Sequence, residues 1–89
     1  MNKRWVEECG IHKLLFAPFG EEVCVLSFKQ SMIDATCFYF ESILLDIKLG
    51  DERANNIEEA KALFEDMVAE HYKDEISYYQ ELLDAWMEE

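Results

Sequence analysis

The most constraining feature of this 89-residue chain is a helical apolar pattern that begins at Asn56. From there apolar positions recur at spacings of 3, 4, 3 and 4, the period of one face of an α-helix. These positions are Ile57, Ala60, Phe64, Met67 and His71. Asn55 or Asn56 can cap the first turn, so the pattern predicts a helix over residues 56–73.

The helical pattern is interrupted at Asp74 and Glu75, where the same face requires apolar residues. Asp74 is a favourable N-cap, which predicts that a second helix starts there and covers residues 74–88. The apolar positions of this second helix are Ile76, Tyr79, Leu83 and Trp86.

Residues 31–49 support two interpretations. The segment from Thr36 to Phe40 has strong strand propensity. Helical spacing is also present, at Ile33, Cys37, Phe40, Leu44 and Ile47. Ser31 followed by Asp34 resembles a helix-start motif, and Gly50 stands where a helix would end. We favour a helix here, with strand as the alternative.

The N-terminal part has β character. Two segments, His12–Ala17 and Glu22–Phe28, flank Pro18-Phe19-Gly20, which suits a turn. We predict a hairpin over residues 11–29. The first ten residues are ambiguous, and Trp5, Val6 and Cys9 can form one face of a short helix that Gly10 ends.

The expected architecture is therefore α+β, with residues 1–89 forming a single small domain. An N-terminal β-hairpin packs against two or three C-terminal helices, at about 31–49, 56–73 and 74–88. A composition of 51% hydrophobic residues is sufficient for a core.

The net charge of −12 is distributed unevenly along the chain. Residues 1–50 carry seven acidic and five basic side chains, whereas residues 51–89 carry thirteen acidic and three basic ones. This distribution disfavours direct binding to nucleic acid or to an anionic membrane, because phosphate binding depends on Lys and Arg. A basic protein surface is the expected partner.

Acidic side chains should lie on the solvent side of the C-terminal helices. Like charges stand four residues apart at Asp66, Glu70 and Asp74, a spacing that destabilises a helix slightly. Two interpretations are open: a face that only promotes solubility, or a face that binds a basic partner. The candidate partner-binding carboxylates are Glu58, Glu59, Glu65, Asp66, Glu70, Glu81 and Asp84.

The last predicted helix carries more apolar surface than one core contact needs. Tyr78 and Leu82 form the surplus edge. Either the helix is wedged between two packed elements, or this edge contacts a partner or a second copy of the chain. Aromatic residues are enriched in interface hot spots, so both residues join the predicted binding surface.

No catalytic or cofactor-binding motif stands out. Cys9 and His12 have the spacing of a metal-ligand pair, but the other candidate ligands, Cys24, Cys37 and His71, lie among apolar neighbours. We predict no metal, no cofactor and no enzymatic activity. An odd number of widely spaced cysteines favours a reducing cytoplasm, and neither a signal peptide nor a membrane span is expected.

The leading hypothesis is a non-enzymatic acidic inhibitor that imitates nucleic acid and occupies a nucleic-acid-handling protein. In size and composition the chain resembles the small acidic inhibitors that phages encode, such as anti-CRISPR or anti-restriction proteins. This is a resemblance of type, and no residue roles follow from it. The alternatives are a bacterial immunity protein or antitoxin that neutralises a basic toxin, and a dimeric adaptor or chaperone-like module.

Overall fold

The computed structural model describes residues 2–88 and contains a five-stranded antiparallel sheet followed by one long helix. The strands are β1 (Lys3–Glu8), β2 (Ile11–Phe16), β3 (Val23–Gln30), β4 (Cys37–Ser42) and β5 (Ile47–Arg53), and the helix is α1 (Ile57–Met87). Neighbouring strands in sequence are neighbours in the sheet, in the order β1-β2-β3-β4-β5. The α+β class is as predicted, but the arrangement of one hairpin with two or three helices is wrong.

One face of the sheet is covered by the first half of α1. Cross-strand pairing aligns His12, Phe28, Phe40 and Gly50 in a single row beneath the helix. Phe64 of α1 is fully buried above this row, with its ring centroid 4.9 Å from those of both Phe28 and Phe40. The core is therefore an aromatic layer between the helix and the central strands.

Residues 31–49 form β4 and the start of β5 rather than the predicted helix. The motif taken for a helix start is a loop motif, because Oγ of Ser31 accepts hydrogen bonds from the backbone N–H groups of Ile33 and Asp34. Ser42 is buried on the core face, where its hydroxyl donates to the carbonyl of Val25 at 2.6 Å and accepts from N–H of Leu45 at 3.0 Å. Its hydrogen bonds make a polar residue compatible with a buried strand position.

Gly50 does not end a helix but lies in β5 opposite Phe40. A Cβ atom at this position would lie 2.5 Å from Cε1 of the Phe40 ring. The glycine is therefore required by close packing of an aromatic ring against the strand backbone.

The N-terminal segments pair as two hairpins. The hairpin predicted over residues 11–29 is present as β2 and β3. Residues 3–8 form the edge strand β1, and not the short helix that the positions of Trp5, Val6 and Cys9 allow. Cys9 and Gly10 both have positive φ, 51° and 80°, and this is the conformation of a two-residue turn between antiparallel strands. Gly10 thus closes a hairpin.

The two helices predicted over 56–73 and 74–88 are one continuous helix of 31 residues. Asn56 is the N-cap, as one of the two predicted candidates, and its side chain accepts a hydrogen bond from N–H of Glu59 at 2.9 Å. At 1.5 Å per residue α1 is about 46 Å long, roughly twice the length of the strands it covers. The second half of α1 therefore extends beyond the sheet, where Asp74 and Glu75 meet solvent instead of a core.

Candidate functional site

The helix α1 presents two different surfaces to solvent, and the first, which runs along most of the helix, is acidic. At about 100° per residue, six carboxylates fall within a sector of roughly 80° on one side of the helix. We call this set the acidic row; it consists of Glu59, Asp66, Glu70, Asp74, Glu81 and Asp84. All six residues are exposed. At 1.5 Å per residue the row extends over about 38 Å.

Few of the carboxylates in this row are neutralised by neighbouring bases. Among residues 2–88 a single ion pair involves the row, between Nζ of Lys73 and Oε1 of Glu70 at 3.3 Å. Glu59 accepts a hydrogen bond from the backbone N–H of Asn55 at 2.8 Å, which stabilises the start of the helix without removing the charge. Asp84 accepts one from Gln80 at 2.9 Å. The row therefore keeps most of its negative charge unneutralised.

Two of the predicted carboxylates lie elsewhere. Glu58 and Glu65 are on the opposite flank of the helix, and Glu58 lies 3.8 Å from Nζ of Lys61. Glu65 faces β1, where its carboxylate is 2.6 Å from Nζ of Lys3 and accepts a 3.1 Å hydrogen bond from Nε1 of Trp5. The bond from Lys3 lowers the pKa of Glu65 and the bond from Trp5 adds to this, against the opposing effect of partial burial. Glu65 is thus used in tertiary packing.

Asp74 belongs to the acidic row, although the sequence-based prediction treats it as a helix N-cap and does not include it among the partner-binding carboxylates. The signal that identifies it is the i,i+4 series through Asp66 and Glu70, which continues without a break when the helix is continuous.

The two predicted apolar contacts lie at different places around the helix. Tyr78 borders the acidic row and is 57% exposed, whereas Leu82 lies further round the helix, towards its apolar side.

The second surface is apolar and faces roughly 150° away from the acidic row. We call it the apolar seam and define it as Tyr72, Ile76, Tyr79, Leu83 and Trp86. Every member is exposed, from 37% for Tyr72 to 78% for Trp86. The sequence identified four of these positions as a core-facing stripe. In the structure they cover no core, because the sheet ends before they are reached.

An open apolar groove lies where the seam leaves the sheet. The ring of Phe16 at the end of β2 is 6.1 Å from that of Tyr72, and the β2–β3 loop supplies Pro18 and Phe19. The side chain of Phe19 is 98% exposed. The groove has a volume of about 700 Å³ and is lined mainly by apolar side chains.

The residues considered for metal binding are not brought together. Cys9 is exposed in the β1–β2 turn, whereas His12 is buried with its ring stacked 4.8 Å from Phe28. His71 lies on α1, with Nε2 3.7 Å from Oε1 of Glu75. Within the part of the chain that the structure describes, no group of three or more histidine, cysteine or acidic side chains is positioned to hold a metal ion.

Over residues 2–88, α1 included, no helical segment combines the length and the apolar character needed to cross a bilayer.

Comparison with known proteins gives no match: no protein-family model, no curated protein and no solved structure is similar to this chain. The function of this protein is therefore inferred from the geometry of its own residues.

Proposed function

We propose that this protein is a non-enzymatic inhibitor that binds the nucleic-acid groove of a nucleic-acid-handling protein through the acidic row. The observation that carries the proposal is the placement of six exposed carboxylates along one side of a single continuous helix. A rigid row of like charge attracts a basic groove from a distance and accelerates association.

The charge density of the row limits how closely it can imitate a nucleic-acid backbone. The row carries roughly one charge per 7 Å, given its length of about 38 Å, whereas a DNA strand carries one per about 3.4 Å of helix axis. It cannot reproduce every phosphate position. We therefore propose that it competes with nucleic acid by occupying a basic groove electrostatically, with Tyr78 as an apolar contact beside the carboxylates.

The cost of the row to the protein supports a functional role. Asp66, Glu70 and Asp74 are like charges at i,i+4, and each such pair destabilises a helix by a few tenths of a kcal/mol. Lysine at one of these positions would convert repulsion into attraction.

We propose that the protein acts in the cytoplasm of its host cell, as a phage-encoded anti-defence inhibitor of the anti-CRISPR or anti-restriction type. Its three free cysteines suit that reducing compartment.

The proposal is tested by competition with nucleic acid. The protein is immobilised and exposed to nuclease-treated bacterial lysate, and bound proteins are eluted with duplex DNA or with structured RNA. The expected result is a basic protein that nucleic acid displaces and that rising salt releases. Retention of a basic protein that nucleic acid does not displace would favour the alternative, the neutralisation of a basic toxin by an immunity protein or antitoxin.

Charge reversal with a matched control shows whether the row is responsible. The test variant changes three row residues to lysine, at Asp66, Glu81 and Asp84. The control variant makes the same change in net charge on the sheet and its loops, at Glu7, Glu21 and Asp51, all of which are exposed. We expect capture to be lost in the test variant and retained in the control. Equal loss in both would mean that total charge, rather than the row, governs binding.

A further inference from the structure

We infer that the apolar seam of α1 is a self-association surface, and that a second copy of this chain covers it in an antiparallel helix pair. The inference concerns the side of α1 that faces away from the acidic row and does not depend on the proposed inhibitory function. It is carried by the spacing of the seam, the position of the charges around it, and the groove at its proximal end.

The seam has the spacing of a two-helix contact. Its residues follow one another at intervals of 4, 3, 4 and 3, which keeps side chains in register along a helix–helix interface. Tyr72, the first of them, is already in contact with Phe16. The remaining four lie beyond the sheet and contribute nothing to the core in a single copy.

The charges around the seam suit a second copy. The positions that flank it are Lys73, Gln80 and Met87 on one side and Glu75 and Leu82 on the other. Asp74, Glu81 and Asp84 all lie on the far side of the helix, so two seams meet without bringing the acidic rows together. In an antiparallel pair Glu75 lies near Leu82 of the second copy rather than near another carboxylate.

The sheet determines the direction of the pair. Before residue 72 the seam side of α1 is occupied by β1, since Glu65 contacts Lys3 and Trp5 there. A parallel second helix would meet this strand, whereas an antiparallel one extends away from it. The interface between the two copies is then centred on Tyr79. Trp86 of the second copy reaches Tyr72 and enters the groove that Tyr72 forms with Phe16 and Phe19.

The area is sufficient for a stable dimer. The exposed apolar side chains of the seam, together with Leu82, Met87 and Phe19, offer on the order of 800 Å² per copy, given that a large aromatic side chain buries about 150–250 Å². A standard protein–protein interface needs about 800 Å² per partner. Two copies thus supply the amount of apolar surface that specific association requires.

The oligomeric state of adjacent tyrosine variants tests this inference. Tyr79 lies at the centre of the seam, whereas Tyr78 borders the acidic row, and the two are similarly exposed at 62% and 57%. Sedimentation equilibrium is measured from low micromolar to near-millimolar concentration for the wild type, Tyr79→Glu and Tyr78→Glu. Circular dichroism of each variant verifies that the fold is intact.

We expect the wild type to form a dimer of twice 10.5 kDa and Tyr78→Glu to do the same. Tyr79→Glu should raise the dimer dissociation constant by at least about tenfold, because it places two carboxylates together at the centre of the interface. A wild type that stays monomeric at the highest concentration would overturn the inference. So would a Tyr79→Glu variant that dimerises as tightly as Tyr78→Glu.

Disulfide cross-linking tests the antiparallel direction. Lys73→Cys and Met87→Cys are each made in a background in which the exposed Cys9 and Cys24 are serine. An antiparallel pair brings position 73 of one copy near position 87 of the other, so a mixture of the two variants should cross-link efficiently and each variant alone should not. Cross-linking of each variant with itself would contradict the antiparallel arrangement.

Discussion

The indole nitrogen of Trp5 donates a hydrogen bond of 3.1 Å to Glu65, a residue sixty positions later in the sequence. Lys3 completes the contact with an ion pair of 2.6 Å to the same carboxylate. These two bonds attach the first half of α1 to the edge strand β1. Together with the buried Ala60, Phe64 and Val68 they hold α1 in one orientation on the sheet, and they remove Glu65 from the surface available to a partner.

Replacing Glu65 should therefore affect stability rather than partner binding. We expect Glu65→Gln to reduce the free energy of unfolding by about 1 kcal/mol, because it weakens charge-assisted hydrogen bonds at a partly exposed site. Urea unfolding followed by tryptophan fluorescence measures the change. Asp66→Asn, at the neighbouring exposed position, is the control and should stay within about 0.5 kcal/mol of wild type. An equal effect of both substitutions would contradict the assigned contact.

A side chain at position 50 should not fit. We predict that Gly50→Ala lowers the free energy of unfolding by about 1–3 kcal/mol, because the new methyl group meets the Phe40 ring within the packed core. Thermal and urea unfolding give the value. Asp51→Ala changes the next, exposed residue of β5 and should have little effect. A neutral Gly50→Ala would mean that the Phe40 ring can move aside at little cost.

The hydrogen bonds that Asp34 accepts from Thr36 and Arg53 make a pH-dependent contribution to stability. Hydrogen bonds from the side chain and backbone of Thr36, and then from Arg53, lower the pKa of Asp34 from 3.8 to about 2. Because the pKa is lowered in the folded state, the stabilisation is complete well above pH 3.8 and is lost as the pH falls towards about 2.

The substitution Asp34→Asn tests this pH dependence. The difference in unfolding midpoint between wild type and variant should be constant at neutral pH and shrink as the pH falls through the range between the two pKa values. Urea unfolding over a pH series provides the measurement. A difference in unfolding midpoint that stays the same down to the lowest pH would show that the stabilisation does not come from the charge of Asp34.

The two halves of α1 should respond differently to the loss of a large side chain. Phe64→Ala removes a fully buried ring and should cost about 3–5 kcal/mol. Leu83→Ala, on the same helix, removes a side chain that is 52% exposed in a single copy and should change the stability of the monomer by no more than about 0.5 kcal/mol. Both are measured by urea unfolding at the lowest practical protein concentration. Comparable losses would mean that the distal half packs against the sheet.

The sequence by itself determined the local features of this protein. The helical period from Ile57 and the Asn56 cap predicted where α1 begins, because both depend on residues within a few positions of one another. The turn residues after Ala17 predicted the β2–β3 hairpin for the same reason. The concentration of acidic residues in the C-terminal part is likewise a property of the chain, and it identified most of the acidic row.

Only the tertiary structure decided what those features contact. Residues 37–42 carry both helical spacing and strand propensity, and pairing of β4 with β3 and β5 made them a strand. Asp74 predicted a helix boundary only on the premise that the helix stays buried along its whole length. In the structure the sheet does not extend as far as Asp74, and the helix continues past it into solvent. Glu65 does not belong to the acidic row as predicted, because its carboxylate binds Trp5 and Lys3, which are distant from it in sequence. Local periodicity determines which residues share a face, but long-range packing decides whether that face meets a core, a partner or solvent.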